Sequence, residues 1–306
     1  MVEALGTTHI DFLKYRFIYW LFSAALLIGG LATYIYKYRT EGSAFTYSVE
    51  YTGGTQALFS FSTPIHSEKV VALLEGEGFK GVVARDFSDR EILVRVAEFE
   101  NDSDGLAERM RSALQKKLPD TQIEIKAVDS VGANTGASLW LNSLYAIIIG
   151  LLLMLLYTGW RFWSPSYGIG VLVSLFHDAF VILAFFMLFN YEISANVVAA
   201  ILAILGYSIN DTIVIFSRIR DNLKKMPHAS MDDIVNLSIN ETLRRTILTS
   251  VATALVVVSL LIFGGNALRS LSIALLIGII FGTYSSIAIA SPVMLLLYGE
   301  KQRSKR

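Results

Sequence analysis

The sequence predicts an α-helical polytopic membrane protein with six transmembrane helices and one α+β domain of ferredoxin-like (βαββαβ) order across the membrane. Three observations carry this. Hydrophobic residues make up 54% of the 306 positions and charged ones only 17%, where a soluble domain carries about 25% charged. Five stretches hold no charged residue, namely Phe17–Tyr36, Ser130–Trp160, Ile193–Asn210, Thr246–Leu268 and Ser270–Gly299, and a sixth, Tyr167–Phe189, is interrupted only by His177 and Asp178. The charge is also uneven. Residues 41–129 hold 10 basic and 16 acidic side chains, a net of −6, while the chain as a whole is neutral.

The same arithmetic excludes several classes. So little charge does not fit a disordered chain, and zero net charge argues against a nucleic-acid binder. Without cysteine there are no disulfides, thiolate metal sites or Cys nucleophiles. No Walker A motif and no His/Glu zinc spacing occurs, so no cofactor or metal is expected and the chain does not read as an enzyme.

A spanning helix needs about 20 largely apolar residues. The spans are read at 17–36, 138–157, 168–189, 194–216, 246–264 and 271–298. The first follows Lys14 and Arg16, yet its apolar run exceeds the 7–15 residues of a signal-peptide core. It reads as an uncleaved anchor. Lys and Arg bias toward the cytoplasm sets the orientation. With both termini inside, the inner segments hold Arg161, Arg218, Arg220, Lys224, Lys225, Arg244, Arg245, Lys301, Arg303, Lys305 and Arg306. The short outer loops hold Arg269 alone, and Lys37 and Arg39 run against the bias. The expected organisation is 1–16 inside, 17–36 as first span, 37–137 outside, and 138–298 as the other five spans. A cytoplasmic amphipathic segment lies at 217–245, and 299–306 is inside.

In the outer domain, Val49–Ser62 reads as a strand broken at Gly53–Gly54. Pro64 then opens an apolar-periodic helix running to about Gly78. Val82–Phe87 and Glu91–Val96 read as a hairpin around Ser88–Asp89–Arg90. Asp102–Leu118 is an amphipathic helix starting after Asn101, and Thr121–Val128 alternates again. This is the βαββαβ order. Its one histidine, His66, has no triad pattern around it and reads as an exposed residue near a helix start.

The sharper hypotheses lie inside the spans, where an ionisable side chain costs at least ~2.5–3.5 kcal/mol. His177, Asp178 and Asp211 are the three well inside. Asp211 precedes Arg218 by about two turns, so it lies roughly 10 Å below the cytoplasmic boundary. Desolvation favours a neutral carboxyl and an arginine favours a charged one, so a group held between the two can load and release a proton. Arg245, at the start of the fifth span, is the natural partner. His177 and Asp178 point about 100° apart on their helix, which favours separate hydrogen-bonding roles.

Other polar features read as packing. Gly278, Gly282 and Ser286 form a small-residue stripe, and Asn196, Asn210, Thr249 and Ser250 can bond across helices. Met231–Thr242 reads as a weakly amphipathic cytoplasmic helix at the membrane surface. Gly206-x-Ser208 has the Gly-x-Ser pattern of intramembrane serine proteases, but the histidine precedes the serine, opposite to that family's order.

Seven separated motifs resemble the SecF family of protein-export membrane proteins. They are Val49-Glu50-Tyr51-Thr52-Gly53-Gly54-Thr55, Ser130-Val131-Gly132, His177-Asp178, Gly206-Tyr207-Ser208-Ile209-Asn210-Asp211-Thr212, Arg218-Ile219-Arg220-Asp221-Asn222, Asn240 through Thr246, and Gly282-Thr283-Tyr284-Ser285-Ser286. The resemblance implies a bacterial inner-membrane subunit whose ferredoxin-like domain is periplasmic. It also implies a SecD partner, action with the SecYEG translocon on exported preproteins, and use of the proton gradient. It carries the proton relay onto Asp211 and Arg245. His177, Asp178 and Asn210 form a possible secondary polar site, and Gly53, Gly54, Gly206, Gly282, Ser285 and Ser286 a structural motif. Glu50 stands where the family has Asp, and Ser217 where an Asp precedes the Arg-Ile-Arg run. A passive assembly scaffold and a small-molecule proton-coupled exporter are the other readings.

Overall fold

The computed structural model describes residues 10–99 and 102–303. Asn101, expected just before a helix, and Lys305 and Arg306, expected inside, lie outside the described residues. The chain divides into two compact units, residues 47–144 and the remainder. Their elements in chain order are α1 (Arg16–Glu41), β1 (Thr46–Tyr47), α2 (Val49–Thr52), β2 (Gly54–Phe61), α3 (Ser67–Gly76), β3 (Val83–Ser88), β4 (Glu91–Val96), α4 (Ser103–Lys117) and β5 (Ile123–Val131). Then follow α5 (Ala133–Phe162), α6 (Pro165–Leu188), β6 (Glu192–Ile193), α7 (Ala195–Lys225), α8 (Met231–Phe263), α9 (Gly265–Ser285), a π-helical turn (Ser286–Ala290) and α10 (Ser291–Arg303).

In residues 47–144 the sheet runs β3-β4-β2-β5 with every neighbouring pair antiparallel. Alternation builds its inner face. Ala57, Phe59 and Phe61 of β2 and Ile92, Val94 and Val96 of β4 point one way and are buried against Val70 and Leu74 of α3 and Leu106, Met110 and Leu114 of α4. Asp102 caps α4 by accepting from the Gly105 amide at 2.9 Å, which satisfies one of the helix's free N–H groups.

The first stretch departs from the expected strand. Val49–Thr52 is one helical turn, closed by the Gly53 amide donating to Val49 O at 2.9 Å. Burial of Val49 and Tyr51 two apart is what a strand would show, but the Thr52 amide donating to Ser48 O at 3.2 Å joins the Gly53 bond in closing a turn. Gly53 and Gly54 then take φ of +74° and +106°, conformations that tax any other residue. A Cβ on Gly54 would lie 2.3 Å from Val96 O. Pro64 precedes the following helix rather than opening it, and exposed His66 sits at the N-cap.

Among the described residues six helical segments are long and apolar enough to cross a membrane. About half of α6, α7 and the α9–α10 segment is buried, whereas α1, α5 and α8 present most of their surface outward. Three helices thus form a core and the rest flank it. Pro165 stands in the first turn of α6, where its missing N–H costs nothing. Gly278 and Gly282 bring α9 onto α7, where added Cβ atoms would meet Ile204 Cγ1 at 2.5 Å and Ser208 Cβ at 3.1 Å. Lys37 is buried at the end of α1 and donates to Asn190 Oδ1 beyond α6.

One expectation needs correcting. The helix expected at Met231–Thr242 does form, but not as a separate surface helix, because it is the first part of α8, continuous from Met231 to Phe263, and α7 runs on to Lys225. Ile234, Val235 and Ile239 are buried rather than turned to a membrane surface. Ser230 accepts from the Asp233 amide at 3.1 Å and starts the helix, and no Gly or Pro interrupts it thereafter.

Candidate functional site: a polar seam between α6, α7, α8 and α9

Asp178 is wholly buried where α6, α7 and α9 meet. Its Oδ2 accepts from Ser208 Oγ of α7 at 2.7 Å and from Ser285 Oγ of α9 at 2.9 Å. Ser174, one turn earlier on α6, donates to Ser285 Oγ at 3.1 Å. Gly282 makes this meeting possible, since a Cβ there would crowd Ser208 and sit 3.6 Å from Asp178 Oδ2. His177 Nδ1 lies 3.4 Å from Asp178 Oδ1, so the two adjacent side chains do meet, against the expectation from helical angles. The reason is reach, since a flexible carboxyl and a ring spanning several ångströms close the gap that the angle between their Cα–Cβ bonds leaves.

Asp211 lies three residues beyond Ser208, on the same face of α7. It is 4% exposed, and its Oδ2 is buried with no hydrogen-bond partner. Ser250 of α8 neighbours the carboxyl, and Arg245 stands within electrostatic reach. Among the described residues the two do not form an ion pair, and Arg245 is exposed. Thr246 Oγ1, the next residue on α8, is likewise buried and unpaired. Ser250 Oγ and Thr283 Oγ1 of α9 lie 2.7 Å apart, and Tyr207 OH approaches Ser250 at 3.4 Å. A buried carboxyl oxygen left open beside hydroxyls is a ready proton acceptor, because nothing else satisfies it.

Beyond Asp211 a cavity of about 430 Å³ is lined by Ser217, Arg218, Asp221, Glu241, Thr242 and Arg245, with Ile213 and Val214. Arg218 Nε donates to Glu241 Oε2 at 2.6 Å, and Asn222 Nδ2 donates to the same oxygen at 2.7 Å. This polar pocket opens between the end of α7 that carries Arg218, Arg220, Lys224 and Lys225 and the stretch of α8 that carries Arg244 and Arg245.

The expected residues therefore separate. Asp211 and Arg245 lie on facing helices at one end of the seam, and His177 and Asp178 at the other, with Ser285 and Gly282 beside them. Asn210 and Gly206 lie on the exposed side of α7, away from both clusters. Gly53 and Gly54 belong to the other unit. Sequence reasoning missed Ser174, an ordinary helix hydroxyl that nothing marks out except its spacing of four from Asp178, and gave no separate role to Thr246, the last residue of a resemblance motif.

The fold and seam define a multi-pass membrane protein in which three ionisable residues, His177, Asp178 and Asp211, are buried between helices. Residues 111–300 match the family model for protein export membrane protein SecD/SecF, C-terminal. The chain belongs to the SecD/SecF family. It is 37% identical to the protein translocase subunit SecF of Haemophilus influenzae over 281 residues, 92% of this chain and 83% of that one. It is 33% identical to the SecF of Thermodesulfovibrio yellowstonii over the full length of both. Among solved structures it superposes on SecDF of Thermus thermophilus, described as a translocon-associated membrane protein, with a TM-score of 0.85 and 31% identity. That match covers 96% of this chain but only 39% of the SecDF polypeptide, so the chain spans about two fifths of it. A SecDF structure in the super-membrane-facing form matches with a TM-score of 0.68.

Proposed function

We propose that the chain is a SecF-like subunit of the bacterial protein-export machinery, coupling proton flow through its membrane helices to late translocation of exported preproteins. It works with a SecD-like partner beside the SecYEG translocon and performs no covalent chemistry of its own. The family and the names of its relatives support the export setting. The two-fifths coverage of SecDF supports a partner supplying the rest. The strand order β3-β4-β2-β5, all antiparallel, supports a ferredoxin-like domain, and the basic ends of α7 and α8 support an inner-membrane orientation with that domain periplasmic and both termini cytoplasmic.

The observation that carries proton coupling is the open, buried Asp211 Oδ2 between Ser250 and the Arg245-lined pocket. A proton arriving there neutralises the carboxyl, weakens its attraction to Arg245 and lets α7 and α8 shift. The test is gradient-dependent export by Asp211→Asn, reconstituted with the SecD-like partner and checked for assembly. Intact assembly with stimulation lost supports the relay. Persisting stimulation returns Asp211 to packing and favours the scaffold.

A further inference from the structure

The relay just described leaves His177 and Asp178 without a role. Asp178 is 0% exposed and His177 3%. Ionisable groups inside a span are costly to place and mark proton and ion pathways. His177 is the one basic side chain within ion-pair distance of Asp178 among the described residues. Its other ring nitrogen, Nε2, is buried and has no hydrogen-bond partner. The pair thus holds an occupied face toward Ser208 and Ser285 and an open one at Nε2.

Few titratable groups share this environment. Tyr284 of α9 stands 6.1 Å from His177, ring centroid to ring centroid, with its hydroxyl donating to Tyr19 O at 2.7 Å and lying 3.0 Å from Ser23 Oγ. Tyr19 of α1 packs edge-on against Tyr284. On α7 the titratable residues near Ser208 are Asp211, one turn on, and Tyr207, whose hydroxyl approaches Ser250 Oγ at 3.4 Å. Phe281 completes the wall at 6.5 Å.

We propose that His177 and Asp178 form a second proton-binding site, coupled to Asp211 along α7 through Ser208. The inference rests on the proton-coupled reading of this family member. The proton resides on an Asp178 carboxyl oxygen, with the His177 ring beside it, and no covalent bond between heavy atoms is made or broken. Ser208 donates to Asp178 and Asp211 follows it on the same helix face. Any shift of α7 that Asp211 drives therefore moves the Ser208 donor relative to Asp178. Ser285 ties the same carboxyl oxygen to α9, so the pair registers the position of α7 against two other helices.

The test uses the complete complex with its SecD-like partner in proteoliposomes. His177→Asn keeps a nitrogen donor near the Nδ1 position but carries no titrating ring. Asp178→Asn keeps an acceptor oxygen for Ser208 and Ser285. A purely structural pair survives both changes; a proton site loses gradient-stimulated export in both while assembly stays normal. Infrared difference spectra of the wild-type complex between about pH 5 and about pH 8 are expected to contain two protonated-carboxyl bands from buried groups. Asp211→Asn removes one and leaves the other. A single band that vanishes in Asp211→Asn overturns the proposal, however the Asp178 variant assembles. So does full stimulation in His177→Asn. An Asp211→Asn complex that keeps full stimulation sinks the relay at Asp211, while the second band still decides this site.

Discussion

Arg218 of α7 and Glu241 of α8 meet at 2.6 Å, and the Glu241 oxygen they share is also held by Asn222 at 2.7 Å. Asn222 in turn donates to Ser238 Oγ at 3.0 Å. The two helices are therefore clasped by a charged pair at one end of the pocket, while near Asp211 the tie is a long hydroxyl contact, Tyr207 OH to Ser250 Oγ at 3.4 Å. A pair of helices held firmly at one end and loosely at the other pivots rather than separates.

The strength of that clasp is measurable. Arg218 and Glu241 are 36% and 24% exposed at their side chains, so solvent screens much of their attraction. A double-mutant cycle of Arg218→Ala and Glu241→Ala in thermal unfolding is expected to give a coupling of about 0.2–1 kcal/mol. A value several times larger would mean that the pair works as a buried network through Asn222.

Two glycines of the resemblance motifs and the small-residue stripe separate in the same way. Gly278→Ala drives a methyl into Ile204 and is expected to cost about 1–3 kcal/mol of stability. Gly206→Ala meets no heavy atom within 4 Å and is expected to be neutral or to stabilise α7 by about 0.5–1 kcal/mol. Melting temperatures of the two purified variants in one detergent decide it, and equal losses would contradict the α7–α9 packing.

The unit at residues 47–144 carries a pH dependence of its own. Desolvation beside the sheet edge and then the neighbouring Glu50 carboxylate raise the Asp129 carboxyl above its ordinary value of 3.8. The folded chain therefore holds this proton more tightly than the unfolded chain. Its contribution favours the fold below that raised value and is lost as pH rises through it. The side chain is exposed overall, so the effect is modest. Asp129→Asn is expected to match the wild type at acid pH and to melt higher near neutrality, with the gap opening just above the ordinary carboxylate range. A gap that closes with rising pH would reverse the assignment.

Much of this architecture was legible in the chain because hydrocarbon tolerates so few patterns. Long uncharged runs must span, and Asp178 and Asp211 stand out because they interrupt them. What stayed hidden depends on reach and burial instead of pattern. Val-Glu-Tyr-Thr at 49–52 alternates as a strand does, and only the amide bonds of Thr52 and Gly53 back to Ser48 and Val49 show it to be a turn. The polar stretch before Arg245 looks like a break, yet Ile234, Val235 and Ile239 bury it as part of one long α8. Ser208, Ser250, Thr283 and Ser285 are four hydroxyls among many, and nothing in a one-dimensional pattern tells which of them point at a carboxyl.

The π-helical turn at Ser286–Ala290 has one more consequence. Ser285 faces α6 through Ser174, and Ala290 and Met294 face α6 at Gly170. In an unbroken α-helix five residues at about 100° each would leave Ala290 roughly 140° out of phase with Ser285. The wider turn absorbs the surplus residue, and Ser291 Oγ donates across it to Ser286 O at 3.1 Å. The sixth span is thus two helices re-phased onto one neighbour, and a migrating surplus residue would rotate one half against the other without lengthening the span.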